Sequence, residues 1–208
     1  MASAFDHLVV AIRSLSEGIA AFERLTGIRA QIGGQHPGRG TENALVSLGA
    51  DSYLEIIAPQ PRVQLSAADE AMRAVDHLKI LTWAVRVSDV DDAIARLKTA
   101  GFATFAPRPG ARVTPQGERL EWTTFDLDKP SLPVAPFFIR WSDRTKHPSS
   151  TAPGGCSLQG LNVRDRSADR LAAALAVLGV GQVTVSDGDP AIEASLACGS
   201  KTVTLTSR

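Results

Sequence analysis

A strand, an amphipathic helix and a terminating glycine recur three times along this chain, and that repeat limits the folds open to it more than any other feature. The first copy opens with His7-Leu8-Val9-Val10-Ala11-Ile12 and continues into a helical pattern over 16–26, with Ile19, Phe22 and Leu25 on one face. Ser16 is placed to cap that helix and Gly27 to close it in a left-handed conformation. The second copy has a strand over 81–87, Asp89 or Asp91 as cap, Ile94 and Leu97 as the apolar stripe, and Gly101 as the stop. The third has a strand over 158–163, Ser167 as cap, Leu171, Leu175 and Leu178 as the stripe, and Gly179 as the stop. The stops lie 74 and 78 residues apart, a near-constant period expected of duplicated supersecondary units.

Strand chemistry with turn punctuation follows each helix. Unit one offers strands over 29–32, 43–48 and 53–58, with a glycine-rich loop over 33–40. Unit two offers 102–107, 119–127 and 137–141, and unit three 182–186, 192–198 and 201–206. Each unit reads β-α-β-β-β, so the predicted fold class is α+β, with units over 1–60, 76–143 and 156–208. The linker over 59–74 is expected to hold a short helix, and the one over 143–155 is rich in Ser, Thr, Pro and Gly.

Composition then removes several functions. At 208 residues and 44% hydrophobic content the chain buries a real core and is not disordered. Its 22 basic and 22 acidic side chains cancel, leaving no long-range field to capture phosphate backbones, so no nucleic-acid partner is expected. No run approaches the roughly 18 apolar residues of a membrane helix, and the start lacks the features of a signal peptide. Neither GxSxG, GxGxxG nor a P-loop is present. Cys156 and Cys198 have no metal-type spacing, and the expectation is a cytoplasmic protein with reduced thiols, a Cys156–Cys198 disulfide being the other reading.

Paired βαβββ units resemble the vicinal oxygen chelate superfamily, in its glyoxalase-like branch. The carrying residues are Phe5-Asp6-His7-Leu8-Val9-Val10, the segment from His36 through Arg39 to Asn43, Tyr53-Leu54-Glu55-Ile56-Ile57 and, more loosely, Phe137-Phe138-Ile139-Arg140-Trp141. The resemblance implies that units one and two form a U-shaped sheet around a cleft. There a divalent metal (Zn, Fe, Mn, Ni or Co), where one is used, meets a small oxygenated molecule. Ligands come from the first and last strands of each unit.

Alternation along the strands is an independent guide. It puts His7, Val9 and Ala11 on one face of the first strand, and Tyr53, Glu55 and Ile57 on one face of the fourth. The bulky Leu8, Val10 and Ile12 should pack on the helix, leaving His7 and Glu55 toward the cleft. Unit two departs from the family pattern. Aligning Ile19 with Ile94 sets Thr82 opposite His7, and the last strand supplies Ile139 or Arg140 where a carboxylate is wanted. His36, on its glycine-flanked loop, is the candidate third ligand.

The expected site is therefore His7, Glu55 and His36 toward a metal, Glu55 and His36 as the catalytic pair, and Arg140, Asn43, Arg39 and Trp83 toward substrate. The competing structural readings are a strand histidine bonded to Asp6, a Glu55 ion pair with His7 or Arg140, an ordinary hairpin loop, and tryptophans that only pack. His77 and His147 read as surface residues. Two functions stay open: a lyase, isomerase or dioxygenase acting on a small oxygenated molecule, or a metal-free protein that binds or sequesters such a compound. No membrane partner is expected, while the free edge of an odd third unit invites a homodimer.

Overall fold

The computed structural model describes residues 3–128 and 132–208; Met1 and Ala2, part of the start read above, lie outside them. Twelve strands and four α-helices are described, arranged in two mixed sheets. The first half comprises β1 (Ala4–Ala11), α1 (Leu15–Thr26), β2 (Gln31–His36), β3 (Thr41–Ser47) and β4 (Tyr53–Pro59). After the short α2 (Ala67–Glu70), the second half comprises β5 (Lys79–Arg86), α3 (Val90–Thr99), β6 (Arg108–Val113), β7 (Arg119–Asp126) and β8 (Phe137–Trp141). Together they form one eight-stranded sheet in the order β2-β3-β4-β1-β5-β8-β7-β6. In each half the first strand lies parallel to the last, and the halves join through an antiparallel β1–β5 pair.

Helix α1 forms because Leu15, Ile19 and Phe22 recur at helical spacing and bury against the sheet, whereas Leu25 is exposed. Complete burial of a side chain such as Phe22 is worth about 1.5–3 kcal/mol. Ser14, not Ser16, is the N-cap, and Gly27 ends the helix at φ 81° with its N–H on the Glu23 carbonyl. Gly18 lets the helix lie close on the sheet, since a Cβ there would come within 2.7 Å of Ile12 and 2.9 Å of Ile56. Asp89 caps α3 by accepting the Asp92 N–H. Leu8, Val10 and Ile12 join this helix-side core.

Two strand expectations are corrected. Residues 33–36 continue β2 rather than starting a loop, with a bulge between Ile32 and Gly34 in the pairing with β3. Over 102–107 there is only an isolated bridge, Thr104 with Leu127, and the strand forms at Arg108–Val113. That strand is an outer edge of the sheet, where Pro109 is tolerated. The two outer edges, β2 and β6, approach one another, and the Arg112 guanidinium on β6 donates to the Gly33 carbonyl on β2. The sheet thus curls until it nearly closes.

The third unit contains β9 (Cys156–Asp165), α4 (Ala168–Val177), β10 (Thr184–Asp187), β11 (Ala191–Cys198) and β12 (Lys201–Thr206). Its element order matches the first two units, but its wiring does not. The sheet runs β10-β9-β11-β12, with β9 parallel to its second strand rather than its last. This sheet packs against α1 and β5, and one continuous apolar core spans both sheets. Cys156 and Cys198 face each other across β9 and β11 and are disulfide-bonded, which corrects the expectation of reduced thiols.

Candidate functional site

The concave face of the curled sheet holds a cavity of about 630 Å³. Alternation delivers its walls: His7 and Val9 from β1, Tyr53, Glu55 and Ile57 from β4, and Phe137, Ile139 and Trp141 from β8. Trp122 closes it from β7, over Gly110 of the facing strand, where a Cβ would meet the indole nitrogen at 2.3 Å. The floor is polar and the sides are aromatic.

Glu55 is the centre of that floor. It is 8% exposed, with His7 Nε2 3.8 Å from Oε2 and His36 Nε2 3.6 Å from Oε1. The Asn43 amide donates to Oε1 at 2.6 Å and lies 3.3 Å from His36 Nε2. Burial alone would raise the Glu55 carboxyl, but His36, His7 and the Asn43 hydrogen bond outweigh it and hold it below its ordinary value. Burial lowers His36, more than Glu55 raises it. The neutral imidazole fits its neighbours: Nδ1–H donates to Thr41 Oγ1 at 2.9 Å, and Nε2 accepts from Asn43. Asn43 Oδ1 is buried against Gly33 without a partner among the described residues; rotating the amide would turn that oxygen onto the Glu55 carboxylate.

His7 is held from the other side. Its Nδ1 meets Asp6 Oδ1 at 2.6 Å and its ring stacks on Tyr53 at 4.4 Å between centroids. Asp6 is fully buried and also accepts from Trp141 Nε1 and His147 Nε2. Burial would raise its carboxyl, but hydrogen bonds from His147 and His7 prevail and hold it far below the usual carboxylate range. His147, expected on the surface, therefore belongs to the network that orients His7. Burial, helped by Asp6 and Glu55, pushes the Tyr53 phenol well up, so it stays neutral.

Of the other expected residues, Asn43 and Arg39 line the cavity, Arg39 at the rim where it pairs with Asp69 at 3.1 Å. His36 sits at the end of β2 rather than on a flap. Trp83 and Arg140 are not part of the lining. Trp83 is fully buried on the helix side of β5 and donates to the Val134 carbonyl. Arg140, one step out of phase with Ile139, turns away to Ser88 and Asp143. The buried cation that lines the cavity, beside Arg39 and Arg108 of the same lining, is Arg112, 3% exposed and in no salt bridge among the described residues. Sequence gave no periodic signal for it, because its burial depends on β2 and β6 meeting.

The metal that the resemblance implies does not fit these side chains. His7, His36 and Glu55 have suitable donor chemistry, and Asp6 on His7 Nδ1 is the usual support for a ligating histidine. All three come from one half of the sheet, however, while the other half presents Thr82, Phe137 and Ile139. Among the described residues no three His, Cys, Asp or Glu side chains are grouped to hold an ion.

Comparison with known proteins agrees with this architecture. A hypothetical protein from Staphylococcus aureus is 13% identical and superposes with a TM-score of 0.67, covering 98% of this chain and 85% of its own. A methylmalonyl-CoA epimerase from Streptomyces coelicolor, solved with 2-nitronate-propionyl-CoA, is 18% identical at a TM-score of 0.50, covering 70% of this chain and 99% of its own. A hypothetical protein from Bacillus halodurans is 16% identical at 0.52, covering 70% and 99%. These likenesses are of fold. No curated protein matches the sequence. The family model described as "Glyoxalase-like domain" matches residues 5–179, most of the chain, and the protein belongs to that family of the vicinal oxygen chelate superfamily.

Proposed function

We propose that the concave site binds a small oxygenated anion and moves a proton on it, as a lyase or isomerase would, without a metal at its centre. The observation that carries this reading is Glu55: a carboxylate buried between two imidazoles, on the floor of a cavity walled by a buried guanidinium that is in no salt bridge among the described residues. Arg112 is offset only at longer range by the Glu55 charge, so an anionic ligand group beside it relieves part of the cost of its burial.

The chain's own groups then have separable tasks. Asp6, on Nδ1, orients the His7 ring so that Nε2 faces the cavity. His7 Nε2 takes the proton from the carbon next to the ligand's carbonyl, and the nearby Glu55 carboxylate stabilises the imidazolium that forms. The Asn43 amide fixes Glu55 Oε1, and neutral His36 accepts from the same amide through Nε2. The aromatic walls exclude water and strengthen each of these interactions.

Solvent deuterium exchange at carbon, followed by NMR over a panel of 2-oxo acids, 2-hydroxy acids and acyl thioesters, tests the reading. Exchange by the wild type should fall by about 10²-fold in Glu55→Gln and further in His7→Asn. Exchange that requires added Zn or Ni and is lost with chelator would replace the metal-free reading. Retention of a panel compound without exchange would favour the second reading, a binding protein. The apolar half of the cleft, with Phe137 and Ile139 where an acid or base would stand, is the feature that supports that alternative.

A further inference from the structure

Arg112 divides the concave face rather than ending it. Asn43 and Leu45 alternate onto one face of β3, as do Gly110 and Arg112 on β6 and Trp122 and Leu120 on β7. The first of each pair lines the cavity just described; Leu45 and Leu120 line a second one of about 510 Å³, and Arg112 lines both. The two cavities are therefore consecutive chambers of one concavity with a guanidinium at the partition.

The outer chamber is cationic in a chain whose net charge is zero. Arg112, Arg119, Arg144 and Lys146 line it against a single carboxylate, Glu118. Lys146 pairs with Glu118 at 3.1 Å and Arg119 with Glu121 at 2.8 Å, but Arg144, like Arg112, is in no salt bridge among the described residues. Concentrated positive charge around a concave wall, with one buried guanidinium in no salt bridge among the described residues, is the chemistry of a phosphate site.

We infer that the outer chamber is a second anion subsite, which takes a phosphate or diphosphate group on the tail of the ligand whose reacting end lies beside Glu55. This extends the proposed function and rests on it for the reacting end only. A compound spanning both chambers places one anionic group on Arg112 and the phosphates between Arg144 and Lys146. It gains binding energy far from the reacting carbon.

Calorimetric titration with pyrophosphate alone, at low ionic strength, isolates the outer chamber. The wild type should bind it saturably and more tightly than inorganic phosphate, with affinity falling as salt is added. The double variant Arg144→Gln, Lys146→Gln alters two exposed side chains on the β8–β9 connection and should weaken binding roughly tenfold. No saturable binding by the wild type, or equal binding by the double variant, overturns the subsite. Deuterium exchange on a small 2-oxo acid would then persist if the proton-transfer reading is right, so the two failures are distinguishable.

Discussion

Glu55 is ionised in a place where burial alone would keep a carboxyl protonated, and the surroundings that achieve this also set the protein's response to acid. Burial pushes His36 toward its neutral form, while the partners of Glu55 and Asp6 hold both carboxyls below their ordinary values. The three act in one direction. An unfolded histidine takes up a proton as pH falls below 6.5 and folded His36 does not, so the folded state loses ground from there downward. The carboxylates contribute stability that is complete above their unfolded values of 4.5 and 3.8 and is lost as pH falls through their lowered folded values. The melting temperature should be flat from pH 8 to 7, decline below 6.5 and drop more steeply below 4.5. In His36→Gln the first part of the decline should flatten. A melting temperature that rises on acidification would contradict the assignment. Alternation made His7 and Glu55 legible as cleft residues. Arg112 and His147 were not, because nothing local marks them: each acquires its role from a partner distant in sequence, Gly33 for one and Asp6 for the other.

At the scale of elements, glycine was easier to place at helix ends than inside strands. Gly27, Gly101 and Gly179 all have positive φ where the periodic stripe stops. Gly33 and Gly34 suggested a loop, yet they lie in β2 because the site needs the space. A Cβ on Gly33 would come within 2.4 Å of Asn43 Oδ1, and one on Gly34 within 2.5 Å of the Val113 carbonyl across the closing edges. Gly33→Ala should therefore displace the Asn43 amide from Glu55. The cost should be about 1–3 kcal/mol in denaturant unfolding, the usual range for overpacking, and the substitution should impair ligand binding at the cleft. A variant as stable and as active as wild type would show that β2 shifts freely. Gly18 had no signal either, since a helix with a glycine inside reads as merely weakened until the strand beneath it is known.

Across the whole molecule, the third unit shows the limit of reading repeats. Its sequence grammar matches the others, but β9 pairs with β10 and β11, and the unit forms its own sheet instead of lengthening the first. The Cys156–Cys198 bond joins β9 and β11, the two central strands of that sheet, at one end and over a separation of 42 residues. On loop-closure grounds the link contributes about 3–4 kcal/mol. Reduction, or Cys156→Ala with Cys198→Ala, should lower the calorimetric melting temperature by roughly 10 °C; no change would mean the link constrains little in the unfolded chain. A disulfide of this kind is more at home in an oxidising compartment than in a reducing one. Among the described residues no helix is long and apolar enough to cross a membrane.

The sequence by itself determined the local units and, through period-two alternation, the face on which His7 and Glu55 stand. Those depend on neighbours a few residues away, and short-range sterics decide them. Only the tertiary structure decided that β1 and β5 join the halves, that β2 and β6 nearly close the sheet, and that Arg112 is buried between two chambers. Strand pairing joins residues tens of positions apart through backbone hydrogen bonds, which are the same for every side chain and so leave little trace in the sequence.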